Sequence, residues 1–299
     1  MNNFYITTPI YYVNDIPHIG HAYTTIACDI LSRFSKLKGE DTYFLTGTDE
    51  HGQKVEKAAL SKQKDTQEFV DEMSQNFRDL IPYLGCEIDD FIRTTEKRHK
   101  ISAQFLWNKL KNNDQIYLSN YEGWYSIRDE AFYLESELAK TNKGFLAPSG
   151  APVDWVKEES YFFKLSKWED KLIEYYEKNP ESILPQSRYN EVLSFIKGGL
   201  KDLSISRTTF NWGIKVPEAE KHVMYVWIDA LCNYITALNY PNTENELFKK
   251  FWPGIHVVGK DILRFHAVYW PAFLMAADIE PPKKIFAHGW WTNEGQKIS

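Results

Sequence analysis

Between Thr7 and Tyr23 the chain runs T-T-P-I-Y-Y-V-N-D-I-P-H-I-G-H-A-Y, and this stretch constrains the fold more than any other. The apolar run Phe4-Tyr5-Ile6-Thr7 before it reads as a buried strand. After it, Ile26, Ala27, Ile30, Leu31 and Phe34 recur at helical spacing and mark a helix over 19–38, closed by Gly39. Pro9, Asn14, Asp15 and Pro17 form the turn between them. The helix opens with His18-Ile19-Gly20-His21. Free N–H groups and the positive end of the helix dipole at the carboxyl end of a strand make an anion site. Gly20 has no side chain, so a flat ring or phosphate can approach the backbone. Taken alone, two histidines around a glycine are about as often incidental helix surface.

A second polar block, Thr46-Gly47-Thr48-Asp49-Glu50-His51-Gly52, follows the strand Thr42–Leu45 and precedes a helix from Gln53 to Leu60. In open α/β sheets ligands sit at such strand ends. Helix capping accounts for one acidic residue here but not for the whole block. Further alternation follows: a helix over 66–84, a strand over 90–93 and a helix over 96–111. The pattern implies an α/β fold with a doubly wound parallel sheet. The chain has neither G-x-G-x-x-G nor G-x-x-x-x-G-K-[ST], which argues against a dehydrogenase and a P-loop enzyme.

From Tyr117 to Arg207 the texture changes to short strand-like runs (122–126, 131–133, 160–165), with Gly144, Pro148, Gly150 and Pro152 between them. Two helices follow, over 167–177 and 187–198. This reads as an α+β insertion within the sheet domain. The division is therefore 1–116, first half; 117–207, insertion; 208–299, second half. The alternating pattern resumes with a helix over 225–238, a strand over 254–259, a helix over 260–275 and a strand over 284–287.

At 299 residues with 43% hydrophobic and 25% charged side chains, the composition is that of a soluble globular protein. The net charge of −6 leaves any nucleic-acid contact local, since chains built to grip nucleic acid carry a basic excess. Cys28, Cys86 and Cys232 are too few and scattered for a disulfide framework. With no basic leader before the first strand and no apolar run of membrane length, the expected setting is cytoplasmic.

The pattern T-x-P-I-Y-Y-x-N-x-x-P-H-I-G-H-A-Y resembles the signature of the class I aminoacyl-tRNA synthetases and, within that class, the methionyl-tRNA synthetase family. The resemblance recurs in separated blocks over essentially the whole chain. It implies a Rossmann-like catalytic domain interrupted by a connective peptide domain, with G-W-Y-S-I-R-D-E-A-F-Y and E-E-S-Y-F-F-K-L-S as parts of the insertion. It implies that His18 and His21 hold the ATP phosphates and that Gly20 underlies the adenine. Gly259, Asp261 and His288 complete the nucleotide site. Asp49 would hold the methionine ammonium. Ile10, Tyr12, Trp227, Ala230, Tyr234, Ile262 and His266 would form its side-chain pocket, with Arg207 a basic residue nearby. Singly, each aromatic is more often core packing and His266 a satisfied core histidine; the constellation reverses that weighting.

Two departures matter. Ser126 stands where some relatives carry cysteine and no C-x-x-C occurs, so no structural zinc is expected. Lys297-Ile298-Ser299 resembles the opening of the second signature, K-M-S-K-S, with Lys297 as a catalytic cation. The second lysine and the helical anticodon-binding domain of the family do not appear, so the chain reads as a catalytic-domain fragment. The implied reaction is ATP-dependent activation of L-methionine, with Mg2+ arriving on ATP, then transfer to tRNA(Met). A cysteinyl or leucyl synthetase, a small nucleotidyltransferase and a non-catalytic RNA-binding module remain as alternatives.

Overall fold

The computed structural model describes residues 3–129, 131–133, 135–141, 144–293 and 296–297. Its centre is a seven-stranded sheet in which every pairing is parallel. Strand β1 (Asn3–Thr7) lies in the middle. Pro9 has no N–H to continue the ladder. The strand therefore breaks after Thr8, whose N–H donates to Leu45 O at 3.1 Å, and resumes as β2 (Tyr11–Tyr12). Both pieces follow one edge of β3 (Asp41–Asp49), while β4 (Asp90–Arg93) pairs along the other. Pairing on both edges carries β3 through Asp49, four residues past the end expected from sequence, so the Thr46–Asp49 half of the polar block is strand.

On the opposite side of β1 come the strands Ile255–Gly259, Lys284–His288 and Ile183–Leu184, in that order. The chain thus winds one way from β1 to β4 and the other way from Ile255 onward. The reversal leaves a crevice at the carboxyl ends of β1 and Ile255–Gly259, the place where doubly wound sheets bind ligands.

Helix α1 (Ile19–Leu37) forms where the spacing puts it but turns its apolar stripe outward. Its buried face consists of Thr24, Thr25, Cys28, Asp29, Ser32 and Ser35, while Ile26, Ile30, Leu31, Phe34 and Leu37 are exposed. Periodicity locates a stripe but not the direction in which it points. Small side chains bring α1 close to β1 and β3, and local partners satisfy most of the polar groups. Thr25 meets the Tyr11 hydroxyl at 2.8 Å, and the Asp29 carboxylate accepts from Arg33 Nε at 2.7 Å and from the Glu87 N–H at 2.9 Å.

Helices α2 (Gln53–Ser61), α3 (Thr66–Tyr83) and α4 (Lys97–Asn112) link the first-half strands. After α4, β5 (Ile116–Ser126) starts a four-stranded antiparallel sheet with Ala131–Tyr133, Asp154–Phe163 and Leu203–Ser204. The segment 117–207 nevertheless serves both sheets, because Ile183–Leu184 pairs with Lys284–His288. The helices Glu169–Lys178 and Gln186–Lys197 bury Leu172, Tyr176, Val192 and Ile196 in the same core as Trp107 and Phe273. Among the described residues no helix is long and apolar enough to cross a membrane.

Candidate active site

At the switch point lies a cavity of about 470 Å³. Its first wall is the amino end of α1. His18 caps the helix: its Nδ1 accepts from the Gly20 N–H at 3.1 Å, and the His21 Nδ1 accepts in return from the His18 N–H at 3.1 Å. Accepting a proton at Nδ1 requires a lone pair there, so each neutral ring carries its proton on Nε2. Burial, with a smaller contribution from His18, brings His21 down to about 3. The helix therefore opens with two uncharged Nε2–H donors, while the amides of Gly20, His21 and Ala22 are taken up by His18 itself. The glycine between them is fixed by the cap: a Cβ at Gly20 would lie 2.9 Å from His18 Cε1 and 3.1 Å from its Nδ1.

The floor is apolar and neutral. His266 sits in a π-helical turn, Phe265–Tyr269. Pro271 accounts for that turn, since it cannot donate to the Ala267 carbonyl four residues back. The buried Tyr176 hydroxyl takes that carbonyl instead. The opened turn places His266 with Nδ1 donating to Ile262 O at 2.9 Å and Nε2 accepting from the Tyr234 hydroxyl at 2.7 Å. Burial lowers His266 to about 4, against the opposing pull of the Ile262 carbonyl and Asp261. Tyr234 itself is held by Tyr5, whose hydroxyl donates to Tyr234 O at 2.7 Å, and it stacks on His256 at 3.9 Å. Beside this pair Trp227 lies flat on Phe265, ring centroids 3.6 Å apart and planes 7° apart.

Asp49, buried at the end of β3, brings a carboxylate to the same cavity. Its neighbours fasten the loop. The buried carboxylate of Glu50 accepts from Arg93 at 2.7 and 3.0 Å, and Trp212 Nε1 donates to the Glu50 carbonyl. On the far lip, Gly259 approaches Asp261 so closely that a Cβ would lie 2.5 Å from its Oδ1. The Thr24 hydroxyl lies 2.9 Å from His288 Nε2, joining α1 to the strand Lys284–His288.

Ile10, Tyr12, His18, Gly20, His21, Asp49, Trp227, Ala230, Tyr234, Gly259, Asp261, Ile262, His266 and His288 all line this one cavity. Arg207 does not. It is buried in the insertion, over the Tyr225 ring at 4.3 Å, and donates to Ser204 Oγ and Ser206 O, both at 2.7 Å. Ile298 and Ser299 lie outside the described residues, and Lys297 enters only as backbone paired with Thr292.

Several lining residues were not foreseen: Asn14, Tyr23, Thr24, Lys54, Arg128, Asp129, Trp290 and Trp291. Lys54 lies two residues after the polar block, and its ammonium lies 5.4 Å from the Tyr12 ring centroid. Arg128 and Asp129 come from the insertion. Their turn is braced by hydrogen bonds: the Asp129 N–H donates to Ser126 Oγ at 3.2 Å, and the Asp129 carboxylate accepts from the Tyr133 hydroxyl at 2.9 Å and from Ser149. Among the described residues no group of three or more His, Cys, Asp or Glu side chains is placed to hold a metal.

Comparison with known proteins identifies the family and the fold. The family model for class I (M) tRNA synthetases matches residues 4–142 and 147–299. The methionine–tRNA ligase of Rickettsia typhi is 66% identical over all 299 residues, and that of Bacillus subtilis 53% identical over the whole chain. The structure of Mycobacterium tuberculosis methionyl-tRNA synthetase in complex with methionyl-adenylate superposes with a TM-score of 0.98 at 50% identity over the entire chain. The chain spans 58% of the Rickettsia typhi protein, 46% of the Bacillus subtilis protein and 59% of the Mycobacterium tuberculosis chain.

Proposed function

The chain belongs to the class I (M) tRNA synthetases, and on that footing we propose that it activates L-methionine with ATP, for transfer to tRNA(Met) by the whole protein. The observation that carries this reading is that one cavity at the switch point joins a buried carboxylate, a neutral aromatic floor and a helix amino end with two Nε2–H donors.

The division of labour follows from the chemistry. Asp49 pairs with the α-ammonium. Trp227, Tyr234, His266, Ile10, Tyr12, Ala230 and Ile262 surround the thioether, an apolar and polarisable group for which aromatic walls contribute about 0.3–1.5 kcal/mol per contact. An ionised imidazole in that floor would have to be stripped of water by the apolar side chain, which is costly; His266, held neutral, carries no such penalty. His18 and His21 donate to phosphate oxygens at the positive end of the helix dipole, Gly20 leaves room for the adenine, and Gly259, Asp261 and His288 flank the nucleoside.

The methionine carboxylate attacks the α-phosphorus. One O–P bond forms, the bond to the bridging oxygen breaks, and pyrophosphate leaves with that electron pair. The nucleophile is already ionised, with an α-carboxyl pKa of about 3.5, so no general base is required. The work is positioning and stabilisation of charge developing on phosphate oxygens. Mg2+ arrives with ATP as part of the substrate, and Lys297 adds a cation from the second signature. Lys54 and Arg128, both in the cavity lining, suit the phosphodiester of an incoming acceptor end. The three free, buried cysteines suit a reducing, cytoplasmic setting.

L-methionine-dependent exchange of labelled pyrophosphate into ATP tests the proposal. Exchange should depend on L-methionine, and on no other amino acid, both in this chain and in a protein extended to the length of its relatives. No methionine-dependent exchange in the extended protein, together with tight RNA binding, would favour a non-catalytic module.

A further inference from the structure

In the Thr46–Gly52 block, His51 has no task in the proposed chemistry. It points away from the substrate groups into a buried cluster. The carboxylate of Asp229, wholly shielded from solvent, lies between two imidazoles: His51 Nδ1 is 2.6 Å from Oδ2 and His99 Nε2 is 2.7 Å from Oδ1. The three residues come from three elements: the loop after β3, α4, and the helix Val226–Leu231.

A carboxylate only accepts hydrogen bonds, so both ring nitrogens must donate. Nδ1 of His51 and Nε2 of His99 therefore each carry a proton. The two rings stabilise the charge: burial alone would raise the Asp229 carboxyl, but its interactions with His51 and then His99 hold it at about 2. Charged hydrogen bonds of this kind are short and directional. They join the elements that carry the two halves of the amino-acid pocket, since His51 is two residues from Asp49, and Asp229 stands between Trp227 and Ala230. A six-residue helix has little stability of its own, so its position depends on such ties.

We propose that Asp229, gripped by His51 and His99, is a positioning residue that sets the separation of Asp49 from the Trp227–Ala230 wall. It thereby governs affinity for the amino acid without touching it. This inference rests on the reading of Asp49 and Trp227 as methionine contacts.

Isosteric replacement tests it. Asn places an amide nitrogen where His carries Nδ1, and Gln places one where His carries Nε2. By calorimetric titration, His51→Asn and His99→Gln should bind L-methionine within about threefold of the unaltered chain. His51→Gln and Asp229→Asn should bind it at least tenfold more weakly, with ATP affinity unchanged in all four. Leu172→Val, a core change outside the cavity, controls for stability: matched to the weak variants in melting temperature, it should keep full methionine affinity. The inference is overturned if affinity simply follows melting temperature, or if His51→Asn is as weak as His51→Gln. An unaltered chain that binds no L-methionine overturns the amino-acid reading instead. The cluster is then judged from the ¹⁵N spectra of the two imidazoles: a proton on both Nδ1 of His51 and Nε2 of His99 supports it, and the absence of either overturns it.

Discussion

Gly20→Ala separates stability from function at the amino end of α1. The added Cβ would sit 2.9 Å from His18 Cε1 and 3.1 Å from Nδ1, about half an ångström inside ordinary contact. The imidazole must swing out, which breaks the bond from the Gly20 N–H and displaces the Nε2–H donor on the same ring. Loss of the cap costs about 0.5–2 kcal/mol, and replacing glycine by alanine within a helix returns up to about 1 kcal/mol. The melting temperature should therefore change by only a few degrees. Binding of the nucleotide should suffer more. One hydrogen bond to a charged phosphate is worth about 1.5–3 kcal/mol, which at 1.4 kcal/mol per decade is about 10–150-fold. The assay is titration with a non-hydrolysable methionyl-adenylate analogue alongside L-methionine alone. The analogue should weaken by that factor while methionine affinity holds. Equal analogue affinity in the variant, or equal weakening of both ligands, would refute the assignment of the His18 donor to phosphate.

Other perturbations reach other parts of the structure. Tyr234→Phe removes the donor to the buried His266 Nε2 and should cost about 1–3 kcal/mol in urea unfolding, with weaker methionine binding. His266 titrates at about 4 in the fold against an unfolded 6.5, and His21 at about 3. The unfolded chain thus binds more protons in that window, and stability must fall as pH drops from 6.5 towards 4, by about 1.4 kcal/mol per pH unit for each histidine. Unfolding at pH 7, 6 and 5 checks this, and His266→Gln should flatten the slope by one such increment. Arg93→Ala removes the cation paired with the buried Glu50 carboxylate and leaves it only the Thr48 and Thr95 hydroxyls; it should destabilise by about 3 kcal/mol, measured by the same unfolding assay.

The sequence was most legible where function compresses many constraints into few residues. The H-I-G-H turn and the block ending in Gly52 each show a strand, a polar switch and a helix within a few positions, and both meet at the cavity. Orientation was less legible. The apolar stripe of α1 has clear helical spacing, yet the side that packs on the sheet is the one with Thr25, Cys28 and Asp29, because close approach favours small side chains. Long-range contributions were invisible. Nothing local marks Arg128 as a cavity residue, and only folding of the insertion over the sheet brings it there. Nor does the sequence around Ile183–Leu184 announce an edge strand of the parallel sheet, since its two residues pair with a strand about a hundred positions later.

The central claim is that this cavity takes methionine by its ammonium at Asp49 and by its thioether on the Trp227–Tyr234–His266 floor. Calorimetric titration with L-methionine, with L-leucine and L-cysteine as controls, tests it most directly. The account predicts selective binding of L-methionine that Asp49→Ala abolishes. Binding that survives Asp49→Ala, or equal binding of leucine, would contradict it.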